Sequence, residues 1–315
     1  MTELNNTRDN PPGAPSIQAE MVATRTRTPY LYFLVRDPVA VLAALWLLFL
    51  LFCALFGEWL FGDLARGMNL RARAAPFGTT EGGLVNILGA DALGRPILAR
   101  IIVATRVTLG IAMASAIAAL IIGTLIGLWA GFKGGWTGRV IMQLSDVLQS
   151  FPSILLAMVV LYMLSPSPLN LILVLAVGQL PVYIRVARAE VLELRERLFV
   201  DAARVIGARP YQIIAMHIGP MVIPTVINIV TIDFALIMLS ESSLSFLGIG
   251  VQAPNITWGL MVSQGKDYLE TAWWMAFFPG LMIMLSTLSI NLMANWTRRI
   301  RDPRERWRFE RAKQA

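Results

Sequence analysis

The sequence predicts an all-α integral membrane protein, on three observations. Hydrophobic residues make up 56% of the 315-residue chain and charged ones only 15%, with a mean hydropathy of +0.63. A soluble domain carries roughly 25% charged residues. Six apolar stretches are each long enough to cross a hydrocarbon core of about 30 Å. Basic residues collect between those stretches by a consistent rule: if both ends lie on one side, 20 of the 27 Lys and Arg fall on that side. Positive residues favour the cytoplasm, so six transmembrane helices with both termini cytoplasmic are expected. The net charge of +7 therefore sets topology and does not point to nucleic acid.

Residues 1–38 form the cytoplasmic N-terminal tail. Pro11, Pro12 and Pro15 argue against an early helix, and no apolar core appears early enough for a cleaved signal peptide. The first transmembrane helix, 39–61, is bulky and poor in glycine, which suits contact with lipid. An extracytoplasmic loop, 62–106, follows. In the second span, 107–132, Ser115, Ala119, Gly123, Gly127 and Gly131 place a small residue at every fourth position. Such a stripe lets a second helix approach backbone to backbone in lipid, inside the subunit or across an interface.

The third span, 140–164, carries Asp146 about 9 Å from its start at 1.5 Å per residue. A carboxylate there needs a partner or water; Arg139 is the nearest structural candidate, and lining a translocation pathway is the functional one. Phe151-Pro152 predicts a kink, and Pro181 breaks the short fourth span, 169–186. A polar stretch, 188–220, follows. Val191, Leu194, Leu198, Ala202 and Val205 recur at helical steps, Gly207 suits a left-handed helix end, and Pro210 suits the first turn of a new helix. Helix, glycine corner, helix is the expectation, with Ala202 and Ala203 leaving a shallow spot for a partner. The fifth span, 221–247, holds Asp233 and Glu241, eight residues apart and on one face, either lining a polar pathway or holding helices together. An outer loop, 248–272, leads to the sixth span, 273–296, and a basic cytoplasmic tail, 298–315.

Four segments carry a resemblance to a known family. Asp201-Ala202-Ala203, Gly207 and Pro220 resemble the "EAA" loop of bacterial ABC-importer permeases, with Asp201 in place of Glu, Gly219 in place of Leu, and His217 in place of Ile, as is familiar in the peptide-transporter branch. Residues 88–100 are similar to the segment "LGTDxLGRDxxSR", with Ala90 and Pro96 departing from it. Leu244-Ser245-Phe246-Leu247-Gly248 matches "LSFLGLG", and Pro254, Trp258 and Gly259 resemble "GVQPPxxxWG". Together they identify the chain, from Arg36 to Pro303, as a member of the dipeptide, oligopeptide and nickel branch, the second (C-type) permease of a pair.

The resemblance implies a type I ABC importer permease (methionine-permease-like) fold, with a five-helix core over 107–297. It implies partners: a second homologous permease, two ABC ATPase subunits, an extracytoplasmic solute-binding protein and membrane lipid. Asp201, Ala202, Ala203, Gly207, Arg209, Pro210, His217 and Pro220 would couple the chain to the ATPase. ATP and Mg would sit on the ATPase subunits, with no cofactor in this chain and transport by alternating access.

The residues themselves agree that the chain is no enzyme of a common class. It has no G-x-x-x-x-G-K-[ST] phosphate loop, no H-E-x-x-H and no G-x-S-x-G. One cysteine, Cys53, and one histidine, His217, exclude a disulfide framework and any site needing two imidazoles. Two readings from another class remain: an intramembrane enzyme using Asp146 and Asp233, the one aspartate pair within the spans, or a secondary carrier using Asp146, Asp233 and Glu241 as proton sites.

Overall fold

A computed structural model of the chain describes residues 33–35, 37–78 and 86–301. Residues 1–32 and 36 of the expected N-terminal tail, and Arg304, Arg306, Arg308, Arg311 and Lys313 of the basic tail, lie outside the described residues. Within them every named element is a helix, and the one β-type pairing is an isolated bridge between Ala90 and Pro96.

Helix α1, Pro38–Arg66, starts where Asp37 accepts hydrogen bonds from the N–H groups of Val39 (3.1 Å) and Ala40 (3.2 Å). Pro38 occupies the first turn, where no N–H is needed. Leu42, Leu48, Leu55 and Trp59 face outward, as a lipid-facing helix requires, while Ala43, Leu50 and Cys53 are buried.

Helix α2, Ile97–Lys133, is 37 residues long, about 55 Å at 1.5 Å per residue. It begins ten residues before the expected start of the second span. Residues 97–106 look like loop because they carry Arg100 and Arg106, but Arg100 is 3% exposed and paired with Asp91. A paired cation can stay inside a helical bundle, so the arginine does not end the helix.

The expected third span is two helices, α3, Gly135–Ser150, and α4, Ser153–Met163, bent by 89° at Phe151-Pro152. Proline's missing N–H and its steric demand on the preceding residue account for the break, which is sharper than a kink. By contrast Pro181 does not break the fourth span. Helix α5, Pro168–Leu194, runs through it for 27 residues, with Pro181 buried. In a membrane bundle a neighbouring helix holds such a proline in place.

Helix α6, Leu198–Val205, is followed by α7, Pro210–Phe246, a 37-residue helix whose turn at Ile213–Ile218 is wide, of π type. The short helix α8, Trp258–Gly265, and the long helix α9, Trp274–Arg301, complete the described residues. Five helices (α1, α2, α5, α7 and α9) are each long and apolar enough to cross a membrane, and the bent pair α3–α4 makes a sixth crossing if counted as one.

The stripe on α2 lies against α5, the most extensive helix pairing in the chain. Ser115, Ala119, Gly123, Gly127 and Gly131 are all buried. A Cβ at Gly127 would come 2.6 Å from the Ile184 carbonyl oxygen, and one at Gly131 2.7 Å from the Val191 Cβ. Only small residues permit that approach.

Apolar burial divides between the two ends of α2. Around its first half Ile97, Ile101, Ala104 and Ile111 join Leu244, Val251, Trp258 and Trp274. Around its second half Leu128 joins Tyr183, Ala187, Val191 and Leu194 of α5, Val200 and Ala203 of α6, and Ile213, Ile218 and Val222 of α7.

Candidate coupling site and transport pathway

Helix α6 and its corner are built by local rules. Arg195 donates its backbone N–H to the Val191 carbonyl (2.9 Å), and its guanidinium reaches the Gly131 carbonyl (3.2 Å). This tie to α2 ends α5, and Arg197 turns extended before α6 starts. At the far end Ala208 donates to the Ala203 carbonyl and Gly207 to the Arg204 carbonyl, both at 3.0 Å, with Gly207 at φ +85°. This pair of bonds is the Schellman helix stop. A Cβ at Gly207 would meet nothing within 4 Å, so the backbone angle alone selects glycine.

The break at 195–197 changes which residues face a partner. The periodicity Val191, Leu194, Leu198, Ala202, Val205 reads as one face of one helix, but the structure splits it. Val191 and Leu194 are in the core, whereas Leu198 (86%) and Val205 (87%) are exposed, as is Ala202. Ala203, expected beside Ala202 at the partner's contact, is instead 3% exposed and seats α6 on the chain's own core together with Val200. Ile206, Tyr211 and Met216 extend the exposed apolar surface around the corner. Asp201 and Arg204 pair at 3.1 Å beside it.

The second half of the corner is no separate helix. Arg209 donates its N–H to Gln212 Oε1 (2.8 Å), Pro210 takes the first turn, and the chain continues into the fifth span. The wide turn falls just before Gly219-Pro220, and Gly219 donates to the Ile214 carbonyl, five residues back. Pro220 has no N–H for an ordinary turn, and a local π turn accommodates it. His217 sits in this turn, half-buried, with Nδ1 unpartnered. Gly207, Pro210 and Pro220 thus shape the corner, while Asp201, Ala202 and Arg209 are presented on its surface.

The three acids considered for a pathway do not form one site. Asp146 does not pair with Arg139; it accepts from Arg185 of α5 (2.9 Å), which also donates to Gln149 Oε1 (2.6 Å). The pair is exposed on both sides, 61% for Asp146 and 49% for Arg185.

Asp233 is buried beside Tyr183 of α5, yet Asp233 Oδ2 and the Tyr183 hydroxyl make no hydrogen bond of ordinary geometry. Residues 183 and 185 point about 200° apart around a helix of 3.6 residues per turn, so Asp146 and Asp233 lie on opposite sides of α5. Glu241 is fully buried and accepts from Ser245 (2.9 Å) and Ser242 (3.2 Å) of its own helix, so its bonds lie within the end of α7.

The sequence reading missed a polar cluster at the opposite end of α2. Asp91 Oδ1 accepts from the N–H groups of Leu93 (2.9 Å) and Arg95 (2.8 Å), and Oδ2 from Arg95 Nε (2.7 Å) and Arg100 Nη1. Arg100 Nη2 continues to Gln264 Oε1 of α8 (2.9 Å). Nearby, the Trp258 indole donates to the Ile101 carbonyl (3.0 Å). The signal was present in the spacing of Asp91, Arg95 and Arg100, where one acid faces two bases.

Residues 123–307, more than half the chain, match the family model "Binding-protein-dependent transport system inner membrane component". The chain belongs to this family. Among its relatives the permease is 35% identical over 261 residues to the di/tripeptide transport system permease protein DppC of Pseudomonas aeruginosa (82% of this chain, 86% of the relative). It is 32% identical over 293 residues to the glutathione transport system permease protein GsiD of Escherichia coli (89% and 92%). It is 30% identical over 268 residues to the probable D,D-dipeptide transport system permease protein DdpC of Escherichia coli K12 (85% and 88%).

A chain of the MetNI methionine ABC transporter, solved in inward-facing conformations, aligns with a TM-score of 0.51 at 19% identity, over 64% of this chain and 95% of that one. The permease therefore has the type I importer fold and is a multi-pass inner-membrane component.

Proposed function

We propose that this permease is one membrane-spanning half of an ATP-driven importer of short peptides, and that α6 with its glycine corner receives the motion of the ATPase. The carrying observation is the exposed apolar ridge Leu198, Val205 and Ile206, each over 80% exposed, on a short helix otherwise seated by Val200 and Ala203. Exposed apolar side chains gathered on one small element mark a protein contact. The ridge lies between two spans on the side where arginines concentrate, which supports a cytoplasmic position.

The chain carries no G-x-x-x-x-G-K-[ST] phosphate loop, which supports ATP and Mg on two ATPase partners. A homologous second permease and an extracytoplasmic binding protein complete the assembly. The relatives' cargoes, di- and tripeptides and glutathione, support short peptides over nickel. Closure of the ATPases would push α6, which shares its core with α5 and α7 and follows directly on Arg195, the residue that ties the end of α5 to Gly131 of α2. Both helices run the full depth of the membrane, so a push at the corner reaches the opposite face. Asp146 with Arg185, exposed near the cytoplasmic end of α5, would line the inner mouth of the pathway.

Affinity purification of the tagged permease, co-expressed with the other subunits, tests this. Stoichiometric ATPase in the product, and proteoliposomes that accumulate labelled trialanine only with ATP and binding protein, are expected. A permease that purifies alone and transports without ATP would contradict it.

A further inference from the structure

At the end of α2 away from the coupling corner lies a cavity of about 300 Å³. Asp91, Arg95, Arg100, Gln264, Asp267 and Tyr268 line it, over an apolar floor that includes Ile97, Met261 and Met275. We propose that this cleft is a binding site for a short zwitterionic peptide on the permease itself. The proposal rests on the peptide-import reading for its ligand class and on the cleft for everything else.

The charges are arranged for a ligand with both signs. Asp91 is used up within the chain, since both of its oxygens are shared among two backbone N–H groups and two guanidiniums. The arginines are not used up. Arg95 makes its side-chain bond through Nε alone, which leaves both terminal nitrogens unbonded among the described residues. Arg100 is 3% exposed, and its Nε has no partner. One carboxylate thus faces two guanidiniums, and the surplus positive group presents a planar fork that suits a peptide's terminal carboxylate. Asp267 at the exposed rim supplies the opposite charge for the terminal ammonium.

The apolar floor suits a side chain between the two charges. A volume of about 300 Å³ is the lower end for small-ligand sites. In the proposed orientation the cleft opens on the extracytoplasmic side, where cargo arrives.

The test places the assembled permease–ATPase complex in lipid nanodiscs, without binding protein or nucleotide, and follows trialanine by saturation-transfer NMR. Saturable transfer to the alanine methyl groups is expected, weakened at least tenfold by Arg95→Gln and also by Asp267→Asn. N-acetyl-trialanine amide, which lacks both charges, should not compete. The Asp267 side chain makes no hydrogen bond or ion pair among the described residues, so its variant keeps the test decisive if Arg95→Gln fails to fold. Absence of saturable binding, unchanged affinity in the Asp267 variant, or equal competition by the neutral peptide would overturn the site. ATP-driven trialanine uptake by the complete system is measured in parallel. Uptake without binding at the cleft sinks the cleft alone, whereas no uptake sinks the import reading and the cleft with it.

Discussion

The two ends of α2 are finished in opposite ways. At the Ile97 end, Asp91 gathers four donors, Arg100 joins the Asp91 loop to α8, and the indoles of Trp258 and Trp274 each find a carbonyl. At the Lys133 end, α6 is held by two small apolar residues and one helix stop, and it presents Leu198, Val205 and Ile206 to the outside. The first end is held by bonds within the subunit; the second presents an apolar ridge that a partner covers in the proposed assembly. A transporter needs that division: one end must keep its shape while the other receives a push.

Changes at the closed end should therefore cost folding, and changes at the open end should cost coupling. The largest effect is expected from Asp91→Ala, which leaves Arg100 buried without its counter-ion. Stranding a buried charge costs about 3–5 kcal/mol, enough to remove most folded permease from the membrane by detergent-extraction chromatography. Gly127→Leu comes next: its Cβ would sit 2.6 Å from the Ile184 carbonyl oxygen and 2.7 Å from the Ala187 Cβ. Overpacking of this kind costs about 1–3 kcal/mol, read as a lower thermal midpoint of the purified complex.

The alanine pair sharpens the comparison most. Ala203→Glu drives a charge into the core and should lower the yield of folded protein. Ala202→Glu, one residue away and exposed, should leave yield unchanged and abolish ATP-driven uptake. Equal yields for the two variants would contradict the seating of α6. Gly207→Ala forces a side chain to φ +85°, costing about 1–2 kcal/mol confined to the corner. It should reduce uptake more than it reduces the thermal midpoint. The smallest effect is expected from Asp146→Asn. Its bond to Arg185 is exposed, and such pairs contribute about 0–1 kcal/mol, so the thermal midpoint should not move measurably.

The sequence disclosed some of this architecture and hid the rest for physical reasons. Long apolar runs, the glycine stripe and the turn chemistry of Gly207 and Pro210 are local signals, and they led to the right elements. Proline was ambiguous: Pro152 breaks a helix by 89° while Pro181 sits inside one, and only the neighbouring packing decides between them. Arg100 was taken for loop because its partner Asp91 is nine residues away. The face of α6 was misread because Arg195 bonds the Gly131 carbonyl, a long-range contact that no periodicity records. Arg185, the partner of Asp146, is hidden in the same way, since it lies on another helix 39 residues along the chain.

The most direct test of the central claim, that the open end is the ATPase contact, is cysteine cross-linking in a Cys53→Ser background. Single cysteines replace Leu198, Ala202 and Ala203 in turn, with the ATPase subunit co-expressed. Cross-links from positions 198 and 202 whose yield changes with ATP, and none from buried position 203, are the expected result. A permease that is folded and inserted yet links to the ATPase from position 203 alone, or from none of the three, would contradict the account.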